Sequence, residues 1–287
     1  MRYEAPESLD AAVSLLAGMQ QGQARILAGG TDLLVQLRAG VIEPDLVVDV
    51  KKIPEMHEIT AEDGGFRIGA VVSGAELGEH PEVRKLWPGV VEAVELIGST
   101  QIQGRATMVG NMCNASPAAD SMPALIAAGA IVAVTGPGGK REVPVDEMCI
   151  APGKTSLAPG EIVTSVLLPA RPPRSGDAYL RFIPRTEMDI AVVGAGVSLT
   201  LDDSGKCTAA RVALGAVAAR PLLVTEAGDA LIGTALDQAA LERLAAAASA
   251  ACLPIDDKRG TKEYRIKVAG VLARRAAEQA LARAREN

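Results

Sequence analysis

Two loops carry residue types that could hold an anion. The first is Leu27-Ala28-Gly29-Gly30-Thr31-Asp32-Leu33-Leu34, between a short apolar run and an amphipathic segment. Two consecutive glycines let the backbone approach a ligand closely and take φ > 0. The N–H groups that open the following helix lack intrahelical partners and lie at the positive end of its dipole. That combination suits a phosphate. The same residues also describe an ordinary tight turn with Thr31 as a helix cap. The second loop runs from Ala106 to Ser121 (ATMVGNMCNASPAADS). A connection of about 15 residues without its own periodicity is usually functional or disordered, and its alanines and apolar flanks argue against disorder. Thr107 and Ser116 can donate to phosphate, Asn111 can donate or accept, and Asp120 can accept from a sugar hydroxyl. A structural connector held by Asn and Ser side-chain turns would use the same residues.

Three other motifs fall away. Ala151-Pro152-Gly153-Lys154-Thr155 ends like a P-loop, but that motif needs Gly where Met148 stands. It also follows Asp146-Glu147 instead of a strand. Gly136 to Gly139 leads into a strand, so it is no dinucleotide fingerprint. Asn114-Ala115-Ser116 fits the glycosylation pattern, which has no meaning in a cytosolic chain.

The elements that must position the two loops can be read from periodicity. Ser8 can cap a helix with Leu9, Ala12, Val13, Leu15 and Leu16 on one face. Arg25 to Ala28 reads as a buried strand, Asp32 to Ala39 as a helix, and Leu46 to Val50 as a second strand. Then come a strand at Phe66 to Ala70, a capping box at Ser73 and Glu76, and an apolar stripe from Val90 to Ile97. A polar loop spans Gly98 to Asn111. Ala130 to Thr135 and Arg141 to Val145 flank a hairpin turn, and Ile162 to Leu168 closes the region. Pro169 to Asp177 (PARPPRSGD) reads as a linker or exposed crossover. Two strands around Asp202-Asp203-Ser204-Gly205 follow, then helices over Asp237 to Ala251 and from Thr261 to about Arg285.

Composition narrows the function. Of 287 residues 48% are apolar, yet there are only one Trp, three Tyr and two Phe. The core must be aliphatic, and aromatic stacking on bases is not the mode of recognition. A net charge of −6 disfavours nucleic acid or an anionic membrane. The longest apolar stretch, Met122 to Val134, is shorter than the ~20 residues of a spanning helix. Met1 to Gly18 lacks a signal-peptide pattern. Cys113, Cys149, Cys207 and Cys252 are scattered and read as reduced cytosolic thiols. With His57 and His80 the only histidines, a metal site built by this chain is not expected.

Ala28-Gly29-Gly30-Thr31-Asp32-Leu33 precedes by about 75 residues Thr107-x-x-Gly110-Asn111 and Asn114-Ala115-Ser116-Pro117-x-x-Asp120. Together they resemble the FAD-binding medium subunit of molybdenum hydroxylases. That family includes the flavin subunits of aerobic carbon monoxide dehydrogenase and of bacterial xanthine dehydrogenases. Met188-Asp189-Ile190-Ala191 and Asp256-Asp257-x-Arg259-Gly260-x-x-x-Tyr264-Arg265 resemble its C-terminal domain. The resemblance implies an α+β chain with a two-subdomain FAD-binding fold of the vanillyl-alcohol-oxidase/PCMH type. Its subdomains would cover 1–55 and 56–170. A C-terminal domain, 177–287, would pair a small antiparallel sheet with packed helices.

The resemblance further implies non-covalent FAD and no catalytic acid, base or nucleophile on this chain. Leu27, Ala28, Gly29, Gly30, Thr31, Asp32 and Leu33 would grip the diphosphate with Thr107, Gly110, Asn111 and Ser116. Asp120 would take a sugar or ribityl hydroxyl, while Ile97 and Leu157 would supply apolar walls. Arg181, with Arg185 as the nearby alternative, would stabilise negative charge at the flavin ring. A large molybdenum-cofactor subunit and a small 2Fe–2S subunit would be the partners, in a cytoplasmic dimer of heterotrimers serving an external electron acceptor. Two departures stand out. Val109 replaces a glycine usual in the family, and the isolated cysteines exclude the 4Fe–4S insertion of some relatives. The alternatives are a stand-alone nicotinamide-dependent oxidoreductase and a scaffold subunit without cofactor. The first lacks any G-x-G-x-x-G after a strand, and only Val109 favours the second.

Overall fold

The computed structural model describes residues 1–20 and 22–287. The chain opens with β1 (Arg2–Glu4), α1 (Leu9–Leu16), β2 (Ala24–Leu27), α2 (Leu33–Arg38) and β3 (Leu46–Asp49). β3 lies between β1 and β2 and is parallel to both. Central parallel strands are covered on both faces, and Leu46, Val47 and Val48 are buried accordingly. Ser8 caps α1 by accepting from the Ala11 N–H. The expected Thr31 cap is corrected: α2 is flanked by Asp32, whose backbone is already helical and whose side chain caps nothing. Its carboxylate instead accepts from Asn114 Nδ2 at 3.3 Å.

The middle of the chain contains β4 (Ile59–Glu62), β5 (Gly65–Gly69), α3 (Gly74–Glu79), α4 (Pro81–Leu86), α5 (Pro88–Glu95), α6 (Thr100–Gln103), α7 (Met108–Cys113) and α8 (Ser121–Ala128). Then come β6 (Ile131–Gly136), β7 (Gly139–Pro144), β8 (Cys149–Ala151), β9 (Lys154–Thr155) and β10 (Ile162–Leu168). Five of these strands form an antiparallel sheet in the order β4-β5-β10-β6-β7. The capping box at Ser73 and Glu76 forms, as does the hairpin whose ends, Gly136 and Gly139, pair. The stretch expected as an irregular loop instead contains α6 and α7. Both helices are too short for a period of 3.6 to register in a sequence. α7 is fixed by the Thr107 cap and by burial of Met108, Val109 and Met112.

The third part has β11 (Ser175–Phe182), β12 (Val193–Leu201), β13 (Cys207–Gly215) and β14 (Leu222–Leu223), followed by α9 (Thr225–Asp229), α10 (Gln238–Ala250) and α11 (Lys262–Glu286). The strands pair antiparallel in sequence order. Asp237 caps α10 and Thr261 caps α11. With few aromatics available, close backbone approach replaces bulky packing. Ala269, Ala273, Ala276, Ala277, Ala280 and Ala284 of α11 are buried. A Cβ on Gly176 would lie 2.0 Å from the Ala280 carbonyl oxygen.

One apolar cluster, including Val48, Ile68, Val94, Leu125, Val132 and Val166, runs through the first two sheets. The third part has its own, with Val197, Leu214, Leu244 and Ala273. Polar groups join the two. Arg211 Nε donates to the Ile126 carbonyl at 3.0 Å and the Ala216 N–H to that of Pro117 at 2.7 Å. Arg283 of α11 donates to Glu92 of α5 and to the Asp177 carbonyl. The Pro169–Asp177 tract is an irregular crossover as far as Arg174, with Ala170, Pro172 and Pro173 exposed, while Ser175 to Asp177 are buried and open β11. Arg171 donates to the Leu86 carbonyl and to Asp177 Oδ1 at 2.8 Å, and its guanidinium lies 4.2 Å from the Trp87 ring centroid. Only 5% of each charged side chain is exposed. Mutual pairing makes such burial tolerable, and composition does not disclose it. Among the described residues, no helix is long and apolar enough to cross a membrane.

Candidate functional site

The first loop meets the segment before α7 backbone to backbone. Gly29 packs so closely that an added Cβ would lie 1.9 Å from the Arg105 carbonyl oxygen, and Arg105 Nε donates to the Gly29 carbonyl at 3.2 Å. Gly30 has φ +80°, a region open to glycine at little cost. Its carbonyl accepts from Leu34 N–H at 3.0 Å, and that of Asp32 from Gln36 N–H at 3.0 Å. Among the described residues, nothing accepts from the N–H groups of Gly29, Gly30, Thr31, Asp32 and Leu33. Five adjacent backbone donors are thereby left for a ligand or water.

These five residues and Ala28 form one wall of a cavity of about 540 Å3. That volume falls within the usual range of small-molecule sites. Thr107, Val109, Gly110 and Asn111 line a second wall. Thr107 Oγ1 is occupied as the cap of α7, accepting from Gly110 N–H at 2.8 Å. Asn111 Oδ1 accepts from Ser121 N–H and Oγ, at 3.2 and 2.7 Å, tying α7 to α8. Ile97, Leu157, Leu16, Met19 and Met56 supply apolar surface. Across the cavity Asn114 receives Gln36 Nε2 on Oδ1 at 3.1 Å while its amide reaches Asp32. Burial raises the Asp32 carboxyl above its ordinary range. It also pushes the Cys113 thiol up to about 12, so this cavity-lining cysteine is no thiolate nucleophile at neutral pH.

The structure therefore brings together Ala28, Gly29, Gly30, Thr31, Asp32, Leu33, Ile97, Thr107, Gly110, Asn111 and Leu157. Leu27, Ser116, Asp120 and Arg181 stand outside the cavity wall. Leu27 is the buried last residue of β2, its side chain against Gly30, and Ser116 Oγ accepts from the Ala118 N–H at 3.2 Å. Asp120 has both carboxylate oxygens engaged, one by Tyr179 Oη and one by Arg181 Nη1, each at 2.9 Å. Arg181 Nη1 also donates to the Leu96 carbonyl at 2.9 Å, one residue from the Ile97 wall. Arg185 is exposed and pairs with Asp189 at 3.0 Å. The sequence reading missed Gly153, Lys154 and Thr155, which line the cavity from the β8–β9 hairpin. Their signal was Pro152-Gly153 between short extended runs, a turn rather than a failed P-loop.

Burial lifts the Asp120 carboxyl from the ordinary 3.8 to about 6, against the opposing pull of Arg181 and Tyr179. An acid raised in this way binds more protons folded than unfolded, so its contribution to stability falls with rising pH. That contribution is greatest below pH 3.8 and declines until about pH 6. The difference in unfolding free energy between wild type and Asp120→Asn should therefore shrink across this window, by roughly 3 kcal/mol in all. Denaturant titrations at several pH values would measure it, and a pH-independent difference would contradict this electrostatic account.

A strand–glycine turn–helix loop, a second capped loop and an apolar recess frame one cavity on an α+β chain. Residues 1–171 match the family described as FAD binding domain in molybdopterin dehydrogenase. Residues 178–280 match the CO dehydrogenase flavoprotein C-terminal domain. The chain is 39% identical over 285 residues to the carbon monoxide dehydrogenase medium chain of Afipia carboxidovorans, covering 99% of this chain and 97% of that one. It is 31% identical over 284 residues to the xanthine dehydrogenase FAD-binding subunit of Escherichia coli, covering 98% and 96%. Among solved structures, reconstituted CO dehydrogenase from Oligotropha carboxidovorans superposes with a TM-score of 0.94 at 36% identity, over 99% of this chain and 98% of that chain. The chain belongs to the FAD-binding medium subunits of the molybdenum hydroxylase family. It is thus a flavoprotein component of an oxidoreductase, and FAD is the cofactor of its family.

The residues present fit that cofactor. Five free backbone donors on one wall suit an anionic diphosphate, and the apolar recess suits a ring system. Val109 lines the cavity but is only 6% exposed and packs into the first apolar cluster.

Proposed function

We propose that this chain relays electrons within a multi-subunit molybdenum hydroxylase. It would receive them from 2Fe–2S clusters on a small subunit and deliver them through its FAD to an external acceptor. A large molybdenum-cofactor subunit would carry out the hydroxylation, and two heterotrimers would form the assembly. Relatives named as a medium chain or an FAD-binding subunit of dehydrogenases support this reading. When bound, the flavin supplies the capacity to accept electrons one at a time and release them in pairs.

The chain's own work is binding and orientation. The N–H groups from Gly29 to Leu33 would hold the diphosphate, each charge-assisted hydrogen bond contributing about 1.5–3 kcal/mol. With the Gly110 N–H held by Thr107, the free amide end of Asn111 would donate from the second wall, beside Gly110. Ile97 and Leu157 would flank the ring and exclude water. Asp120 and Arg181 would act from behind the wall, fixing the carbonyl that precedes Ile97. The five unpaired donors on the cavity surface carry the proposal. Its test is the visible spectrum of the purified chain, with any co-purifying partners. Flavin bands at one FAD per chain are expected. A colourless protein that takes up no FAD on dialysis would overturn it.

A further inference from the structure

Two of the residues lining the cavity are cations, Arg25 and Lys154. Arg25 folds back on its own strand, donating to the Ala24 carbonyl at 3.3 Å. Lys154, among the described residues, has no carboxylate within salt-bridge distance and no side-chain hydrogen bond. The cavity also holds two carboxylates. Glu161 is neutralised by Arg141, whose Nε and Nη2 each donate at 2.7 Å. Asp32 has only the Asn114 amide. A diphosphate entering beside Asp32 therefore meets uncompensated negative charge, and backbone donors carry no full positive charge to balance it.

The hairpin that bears Lys154 is fixed in place. Cys149 pairs with Thr155 and Ala151 with Lys154. At the tip, Gly153 N–H donates to the Ala115 carbonyl at 3.0 Å, and at the base Ser156 N–H donates to that of Met148 at 2.9 Å. Ala115 holds a left-handed φ of +52°, a conformation that persists where surroundings over-determine it. The contact anchors the hairpin to the end of the second loop. Lys154 is thus set at the cavity mouth on a short, doubly tied ribbon, with its ammonium unclaimed.

We infer that Lys154 is the counter-charge for the diphosphate of the bound cofactor. The inference rests on the flavin reading above and adds to it a side chain that the two loops do not contain. A lysine acts on phosphate as a compact, strongly hydrated charge, so its contribution at an open mouth is screened by salt.

The test titrates FAD into the full-length, flavin-free chain and follows quenching of flavin fluorescence, at about 20 mM and about 300 mM salt. Lys154→Met is expected to raise the Kd for FAD about three- to ten-fold at low salt. The gap should close at high salt, and Lys154→Arg should stay near the wild-type Kd. A wild-type Kd for Lys154→Met at low salt would overturn the inference. So would a loss equal at both salt concentrations, because that would mark a packing role instead of a charge. A wild-type chain that takes up no FAD would fail earlier, and would strike the flavin reading itself.

Discussion

Gly29→Val should empty the flavin site, raising the Kd for FAD by about 100-fold or more, and should lower the thermal midpoint as well. A Cβ there would stand 1.9 Å from the Arg105 carbonyl oxygen, 2.7 Å from its carbon and 3.1 Å from Ala106 Cα. All three atoms are backbone, so no rotamer change relieves the clash, and the two loops must part. Overpacking of this kind costs about 1–3 kcal/mol of stability or somewhat more. The loss of ligand is larger because the donors from Gly29 to Leu33 would shift together. Flavin content after gel filtration and a melting curve would measure both effects. Gly104→Ala is the control, since an added Cβ there meets nothing within 4 Å. Full FAD occupancy in Gly29→Val would remove the first loop from the site.

The second large effect is on folding. Arg181→Met should destabilise the chain by about 3–5 kcal/mol at neutral pH, the usual cost of stranding one member of a buried pair. Only 5% of the Arg181 side chain and 10% of the Asp120 side chain are exposed. Removing the guanidinium leaves Asp120 with Tyr179 alone and frees the Leu96 carbonyl. Adding Asp120→Asn to Arg181→Met should recover much of the loss, because the uncompensated charge is then gone. Urea unfolding of the wild type, both single variants and the double variant would form the cycle. Additive losses would show that the pair is not coupled.

Much of the cavity lining was legible in the sequence because paired glycines between a strand and a helix mark a tight turn or a close backbone approach. The reason assigned to Gly29 was incomplete. Its immediate neighbour is the backbone of the second loop, and this contact brings the two loops together. Strands and long helices were readable where an apolar period lasted, as in β10, β12, α10 and α11, whereas β11 was not, since it opens on Ser175-Gly176-Asp177 and blends into the preceding linker. α7 was missed because six residues carry no measurable period, and its Thr107 cap was read as a donor to ligand. Asp120 and Arg181 were placed on the cofactor by motif position. Their partnership spans 61 residues, and nothing local in the sequence marks it. The burial of Arg171 and Asp177 is hidden for a similar reason, since their charges cancel only after the chain has crossed Trp87.

The polar seam between the two apolar clusters bears on how the protein can be dissected. A fragment ending near residue 171, where the first family match stops, would keep every lining residue of the cavity. It would nevertheless lose the cationic partners of Asp120 and Glu92, which come from β11 and α11. Severed there, the amino-terminal half would carry orphaned acids on a freshly bared flank. The integrity of the cavity therefore depends on the whole polypeptide, and failure of such a truncation to hold cofactor would say nothing against its walls.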